Sequence, residues 1–197
     1  MDAEQALERL IDGNARFAAS SAEGPNRDPE RRRSLVAGQA PWAMVVSCAD
    51  SRVPPELLFD VGLGELFVVR VAGNLAMPAV LGSVELAVAE LGCRLLVVLG
   101  HEGCGAVQAA MAGPDAHDGA VRELTHRVAE SFGEVEASAA DPVGERVYAN
   151  VRRQVALFQS SSPILSAKVA AGELRIVGAV YGLASGRVTF PPALSAP

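Results

Sequence analysis

Apolar positions along this chain follow two rhythms. In residues 3–18, AEQALERLIDGNARFA, the residues Leu7, Leu10, Ile11 and Phe17 recur at roughly helical spacing with charges on the other face, which predicts an amphipathic helix. From residue 43 the pattern changes to short continuous apolar runs: AMVVS (43–47), LFVVRV (66–71), RLLVVLG (94–100) and LRIVGAVYG (174–182). Runs of this kind predict strands buried on both faces. Between the second and third, Pro78 opens and Gly92 closes a predicted helix, PAVLGSVELAVAELG. Strands alternating with helices predict an α/β fold, a central, mostly parallel sheet with crossover helices on its faces. Residues 118–159 read as largely helical with an interruption at DPVG (141–144), and Ser185-Gly186 as a turn feeding a last, antiparallel edge strand.

The stretch between the first helix and the first strand, SSAEGPNRDPERRRSLVAGQAP, mixes Ser, Gly, Pro and charge without a period. It reads as a polar connector with a short helix around Arg31 to Val36, its arginines forming a solvated face. No repeat and no shift of composition separates a second domain. The expected organisation is one domain over residues 1–197, with a helical arm and connector to residue 40 and an α/β core from residue 41.

Composition narrows the function. With 50% hydrophobic and 20% charged residues in 197, the chain can bury a substantial core. A net charge of −6 argues against a nucleic-acid surface, which needs clustered Lys and Arg. No apolar run reaches the roughly 18 to 20 residues of a membrane helix, and the acidic start MDAEQALERL is unlike a signal peptide, so a cytoplasmic protein without a membrane partner is expected. Three cysteines make an odd number for a disulfide framework and turn attention to metal binding or catalysis. Cys93 reads as a core residue.

In open α/β sheets, ligands bind beyond the carboxyl ends of the strands. Two loops there carry chemistry: CADSR (48–52) after the first strand and GHEGCGAV (100–107) after the third. Cys48, His101 and Cys104 are suitable zinc ligands, and His-x-x-Cys lets one turn present both side chains to one ion; Asp50 is the possible fourth ligand. Three protein ligands and one exchangeable position describe catalytic zinc better than structural zinc. Other motifs fail on spacing. GHEGCGAV lacks the Lys-Ser/Thr of a P-loop, HEGCG has no second His for a zincin, and GLGELF lacks the last Gly of a dinucleotide fingerprint. A cysteine phosphatase needs a wider loop than Cys48 to Arg52 allows. His117 and His126 read as surface histidines.

CADSR with HEGC resembles the beta-class carbonic anhydrases, whose motif is Cys-x-Asp-x-Arg followed by His-x-x-Cys. SRVPPE, GELFVVRVAGN, LGSVELAV and VVLGHEGCGAV extend the resemblance across roughly residues 36 to 110. It implies a parallel sheet extended by an edge strand, N-terminal helices that embrace a second subunit, and a homodimer or homotetramer with sites at the dimer interface. It implies one Zn2+ per subunit and reversible hydration of carbon dioxide to bicarbonate and a proton, by attack of zinc-bound hydroxide. Gln39 and Phe67 match pocket positions supplied by the neighbouring subunit. Leu86 stands at a substrate-pocket position where many relatives carry Tyr, and Val71 where Asn is frequent. Some relatives hold bicarbonate in a second pocket built on Trp, Arg and Tyr; here Val45 replaces the Trp, while Arg70 and Tyr181 match the other two, so an incomplete pocket is expected.

Asp50 and Arg52 can form a bidentate, charge-assisted pair. That pair holds Asp50 off the metal, free to orient the nucleophile; if it breaks, Asp50 can close the fourth position. Two other functions fit the same residues: hydrolysis of carbonyl sulfide or carbon disulfide, and a zinc-storing or structural module with a permanently closed site.

Overall fold

The four apolar runs lie side by side in the computed structural model, which describes residues 1–133, 135 and 140–194. Strands β1 (Ala43–Ser47), β2 (Leu66–Arg70), β3 (Leu95–His101) and β4 (Arg175–Tyr181) are parallel, and a two-residue β5 (Val188–Thr189) pairs antiparallel with β4. The order is β2-β1-β3-β4-β5. β1 and β3 are buried at every residue and β4 at all but Arg175. β2 corrects the expectation of burial on both faces: its first four residues are half-buried and Arg70 is exposed. The cause is its place at the sheet edge, with a strand neighbour on one side only.

Helices cover both faces. α4 (Pro78–Ala89), α5 (Gly105–Met111), α6 (Gly119–Ala129), α7 (Pro142–Ser160) and α8 (Pro163–Ala170) contribute Val84, Val107, Val128, Val151, Phe158 and Leu165 to a core built on Met44, Val46, Leu96, Val98 and Ile176. α1 (Ala3–Ala18) and α3 (Pro55–Leu58) close the other face, where Ala6, Leu7, Leu10, Leu58 and Phe59 meet Val45, Leu95, Val97 and Leu99. Pro78 opens α4 as expected, and Gly92, at φ 68°, lies just past its end. DPVG does not interrupt a helix. Asp141 caps the start of α7 by accepting from the Gly144 N–H at 2.9 Å, and Pro142 takes the first turn, where its missing N–H is no loss. Part of the helical expectation for 118–159, residues 134 and 136–139, lies outside the described residues.

The first helix packs on its own chain. Asp2 and Gln5 form a capping box at its start, and Arg9 pairs with Glu65 while lying 4.7 Å above the Trp42 ring. Asn14, buried, donates to the carbonyls of Leu58 and Gly186, each at 3.0 Å, and accepts from the Val188 N–H at 2.7 Å. One amide thus ties α1 to α3 and to the β5 edge. Asn14→Leu strands three backbone groups, and about 3 kcal/mol of stability should be lost, read as a lower urea midpoint at unchanged slope. A loss below about 1 kcal/mol would show that the tie is not structural.

α2 (Pro29–Ser34) buries no residue, in keeping with a polar connector. Its arginines are not all a solvated face, however. Arg27 and Arg31 reach the carbonyls of Val61 at 3.2 Å and Leu63 at 3.0 Å and staple the connector to the core, while Arg32 and Arg33 stay exposed. Cys93 is a core thiol that donates to the Pro41 carbonyl at 3.2 Å. Among the described residues no helix is long and apolar enough to cross a membrane.

Candidate metal centre

The site forms where β1 and β3, adjacent and parallel, end within two residues of each other, Ser47 lying level with Leu99. Cys48 is the first residue past β1, His101 the last residue of β3, and Cys104 the residue that starts α5. Between the last two, Gly103 turns the chain at φ 60°, a conformation that glycine adopts without a Cβ penalty. The result is a buried cluster in which the ligand atoms of Cys48, His101 and Cys104 all lie within 4.8 Å of one another, with the two Sγ atoms 4.0 Å apart.

Each donor is prepared by its neighbours. His101 Nδ1 lies 2.9 Å from the Glu102 carbonyl, which accepts only a proton-bearing nitrogen. That contact fixes the tautomer and leaves Nε2 with a bare lone pair, buried and without a hydrogen-bond partner. A buried imidazole nitrogen without a partner is costly unless something binds it, and two sulfurs stand beside it. Cys48 is drawn well below the ordinary thiol range by the hydrogen bond from Cys104, helped by neighbouring backbone N–H groups, against the opposing effect of burial. Cys104 is pushed upward by donating to Cys48 and by burial, although the N–H groups of Ala106 and Val107 act the other way. Two sulfurs and one imidazole nitrogen, with thiolate character already present, make a donor set suited to zinc.

Asp50 stands at the mouth of this cluster and is held away from it. Its Oδ1 accepts from Arg52 Nε at 2.9 Å and from the Arg52 backbone N–H at 3.0 Å, and its Oδ2 accepts from Arg52 Nη2 at 2.7 Å. The alternate spacing has a local cause: an aspartate readily accepts the N–H two residues on, and the guanidinium at that same residue folds back onto the carboxylate. Arg52 therefore holds Asp50 well below the usual carboxylate range. Oδ2 remains 3.9 Å from His101 Nε2.

Arg70 has a part that local sequence did not show. Its Nε and Nη2 donate to the carbonyls of Cys48 at 3.1 Å and Asp50 at 2.6 Å, pinning the loop that carries both residues. The turn after β2 packs beside the end of β1, and Gly73 and Asn74 in it both have positive φ, 74° and 46°. The Gly-Asn pair is a turn signal, but nothing local says that the turn packs against β1. Val45 is buried on the α1 face and Tyr181 is buried at the end of β4, its hydroxyl pKa raised by burial. Gln39 lines a surface groove with Leu35, Val36 and Leu63, Phe67 is half-buried on β2, and Leu86 is 51% exposed on α4. His126 is exposed beside Asp115 at 3.2 Å, and His117 contacts the Ala109 carbonyl at 3.3 Å.

Known proteins resemble this chain over most of its length. A family profile described as carbonic anhydrase matches residues 43–188, which include every residue of the cluster. Carbonic anhydrase 2 of Mycobacterium tuberculosis is 43% identical over 188 residues, covering 94% of this chain and 91% of that protein. This chain belongs to the beta-class carbonic anhydrases. It is an enzyme of carbon dioxide hydration, a carbonate dehydratase. The carbonic anhydrase of Mycolicibacterium smegmatis is 45% identical over 186 residues, 93% of this chain and 90% of that one. Among solved structures, the beta-carbonic anhydrase of Coccomyxa in complex with acetazolamide superposes with a TM-score of 0.74 at 32% identity, over 93% of this chain and 85% of that chain.

Proposed function

We propose that Cys48, His101 and Cys104 hold one zinc ion per chain, and that Asp50 and Arg52 act beside it in the reversible hydration of carbon dioxide. The observation that carries this reading is the bare, buried Nε2 of His101 facing two sulfurs, next to a carboxylate that a guanidinium keeps aside. Zinc bound there supplies a water whose pKa falls towards ~7, and so a nucleophile at near-neutral pH. Two thiolates and a neutral imidazole offset the ion's charge.

The remaining work falls to the chain's own side chains. Asp50, anionic and bonded through both oxygens to Arg52, is acceptor only; it takes a hydrogen bond from the nucleophile and aims a lone pair at the substrate carbon. Arg52 keeps it at that distance. Were Arg52 to release it, Asp50 is the anion close enough to take the fourth ligand position, which would block the substrate. A permanently closed zinc store has no use for the Arg52 fork, and the observed pairing favours the enzyme.

Gln39, Phe67 and Leu86 are read as pocket walls completed between copies of the chain in a homodimer or homotetramer. Support comes from the half-buried edge strand β2, from Leu86 and from Val36, 85% exposed in the groove that Gln39 lines. Their exposed apolar surface gains by being covered.

The pH dependence tests the reading. With Arg52 holding its pKa down, Asp50 stays ionised across about pH 5 to 9 and contributes no titration of its own there. Activity should therefore follow ionisation of the bound water alone, with kcat/KM rising as pH goes from about 6.5 to 9. A flat stopped-flow profile over that interval would contradict it.

A further inference from the structure

The loop from His101 to Cys104 is braced by the turn that joins β4 to β5. Glu102, the residue between the ligand candidates, makes the brace with its N–H, its carbonyl and its carboxylate together. Its N–H donates to the Tyr181 carbonyl at 2.9 Å, one step beyond His101 and Tyr181, the last paired residues of β3 and β4. Its carbonyl accepts from His101 Nδ1 at 2.9 Å. Its carboxylate Oε2 accepts from the Leu183 N–H at 3.1 Å.

Local backbone sterics do not fix where that carbonyl points. The peptide unit it belongs to runs into Gly103, at φ 60°, and glycine leaves such a unit free to turn over. α5 begins directly afterwards, at Cys104, without a side-chain cap. The anchors therefore come from the neighbouring turn. Leu183 supplies two of them: its N–H meets the Glu102 carboxylate, and its side chain covers Gly103, with Cδ1 3.8 Å from where a Cβ would stand. The turn that carries Leu183 is itself closed, by the Gly182 N–H on the Arg187 carbonyl at 2.8 Å and the Gly186 N–H on the Gly182 carbonyl at 2.9 Å. Asn14 ties it to α1 through the Gly186 carbonyl. A bond from an exposed carboxylate to one N–H adds little to global stability. Its consequence here is local, because the same residue carries the carbonyl that holds His101.

We propose that Glu102 is a positioning residue of the metal centre: its carboxylate, braced on the Leu183 N–H, keeps the Glu102 carbonyl on His101 Nδ1 and so aims Nε2 at the two sulfurs. The inference rests on the reading of His101 as a zinc ligand. An imidazole held through its second nitrogen keeps one tautomer and one ring orientation, and losing such a partner commonly lowers metal affinity by about 10 to 100-fold.

The test compares zinc release to a chelator in three variants of the full chain with the unaltered protein. Glu102→Ala removes the acceptor of the Leu183 N–H; the side chain is exposed, so the core is left intact. Glu102→Gln keeps an oxygen there and loses the charge. Asp141→Ala is the control, an exposed carboxylate that likewise accepts one backbone N–H, from Gly144 at 2.9 Å, but at the start of α7. Zinc should leave about tenfold faster from Glu102→Ala, at most about threefold faster from Glu102→Gln, and at the unaltered rate from Asp141→Ala. In the zinc-loaded proteins, the His101 Nδ1–H should give a downfield proton resonance that exchanges slowly with water, except in Glu102→Ala, where exchange should be fast. A Glu102→Ala chain that melts lower but keeps both the slow resonance and the unaltered release rate has lost only a turn staple, and the inference falls. An unaltered protein that takes up no zinc would overturn the metal reading itself and this inference with it.

Discussion

Arg52→Ala should lower carbon dioxide hydration by about a hundredfold or more while one zinc per chain stays bound. In the folded chain the Asp50 carboxylate receives three hydrogen bonds from Arg52, two from the guanidinium and one from the backbone. Only the backbone bond survives the substitution. A carboxylate with its outer oxygen freed, already 3.9 Å from His101 Nε2, would turn to the strongest positive charge within reach, the metal. The same change predicts that zinc is held at least as firmly as before, since it gains an anionic ligand. Arg52→Lys should restore part of the activity, because an ammonium supplies the charge but not the planar fork. Stopped-flow hydration with zinc content measured on the same samples checks both halves. Full turnover in Arg52→Ala would remove the case for the Asp50–Arg52 pair.

Cys104→Ser should bring hydration down to the rate of the buffer and leave the fold in place. The soft thiolate is replaced by a hydroxyl that stays protonated at neutral pH, and the cluster falls from three good zinc ligands to two. Cys104 is also a buried member of the core between the sheet and α5, and serine is close enough in size to keep that packing. Loss of activity with retained far-UV circular dichroism and no bound zinc is the expected result. Activity with zinc still bound would mean that Cys104 is not a ligand.

Legibility in the sequence followed the range of the interactions. β1 was readable to the residue, because AMVVS is bounded by polar loops and buried throughout. The cluster was readable because Cys, His and Cys are chemically specific and fall at two strand ends. The half-burial of β2 is not legible, since the pattern of a strand reports its own faces and not whether it sits at an edge. DPVG reads as a break because Pro both ends and begins helices; only the Asp141 cap distinguishes the two. Arg27 and Arg31 read as solvated because their acceptors are carbonyls more than 30 residues away. The pairing of Glu102 with the Leu183 N–H, 81 residues on, leaves no local trace at all.

Activity at this site depends on a zinc ion held by Cys48, His101 and Cys104 under the proposed function, and the most direct test is a metal titration. Protein stripped by a chelator and then returned to zinc in steps should gain carbon dioxide hydration in proportion to bound metal, levelling off at one zinc per chain, when assayed by stopped flow at alkaline pH. Hydration that does not change with zinc content, or a chain carrying its full zinc without turnover, would contradict it.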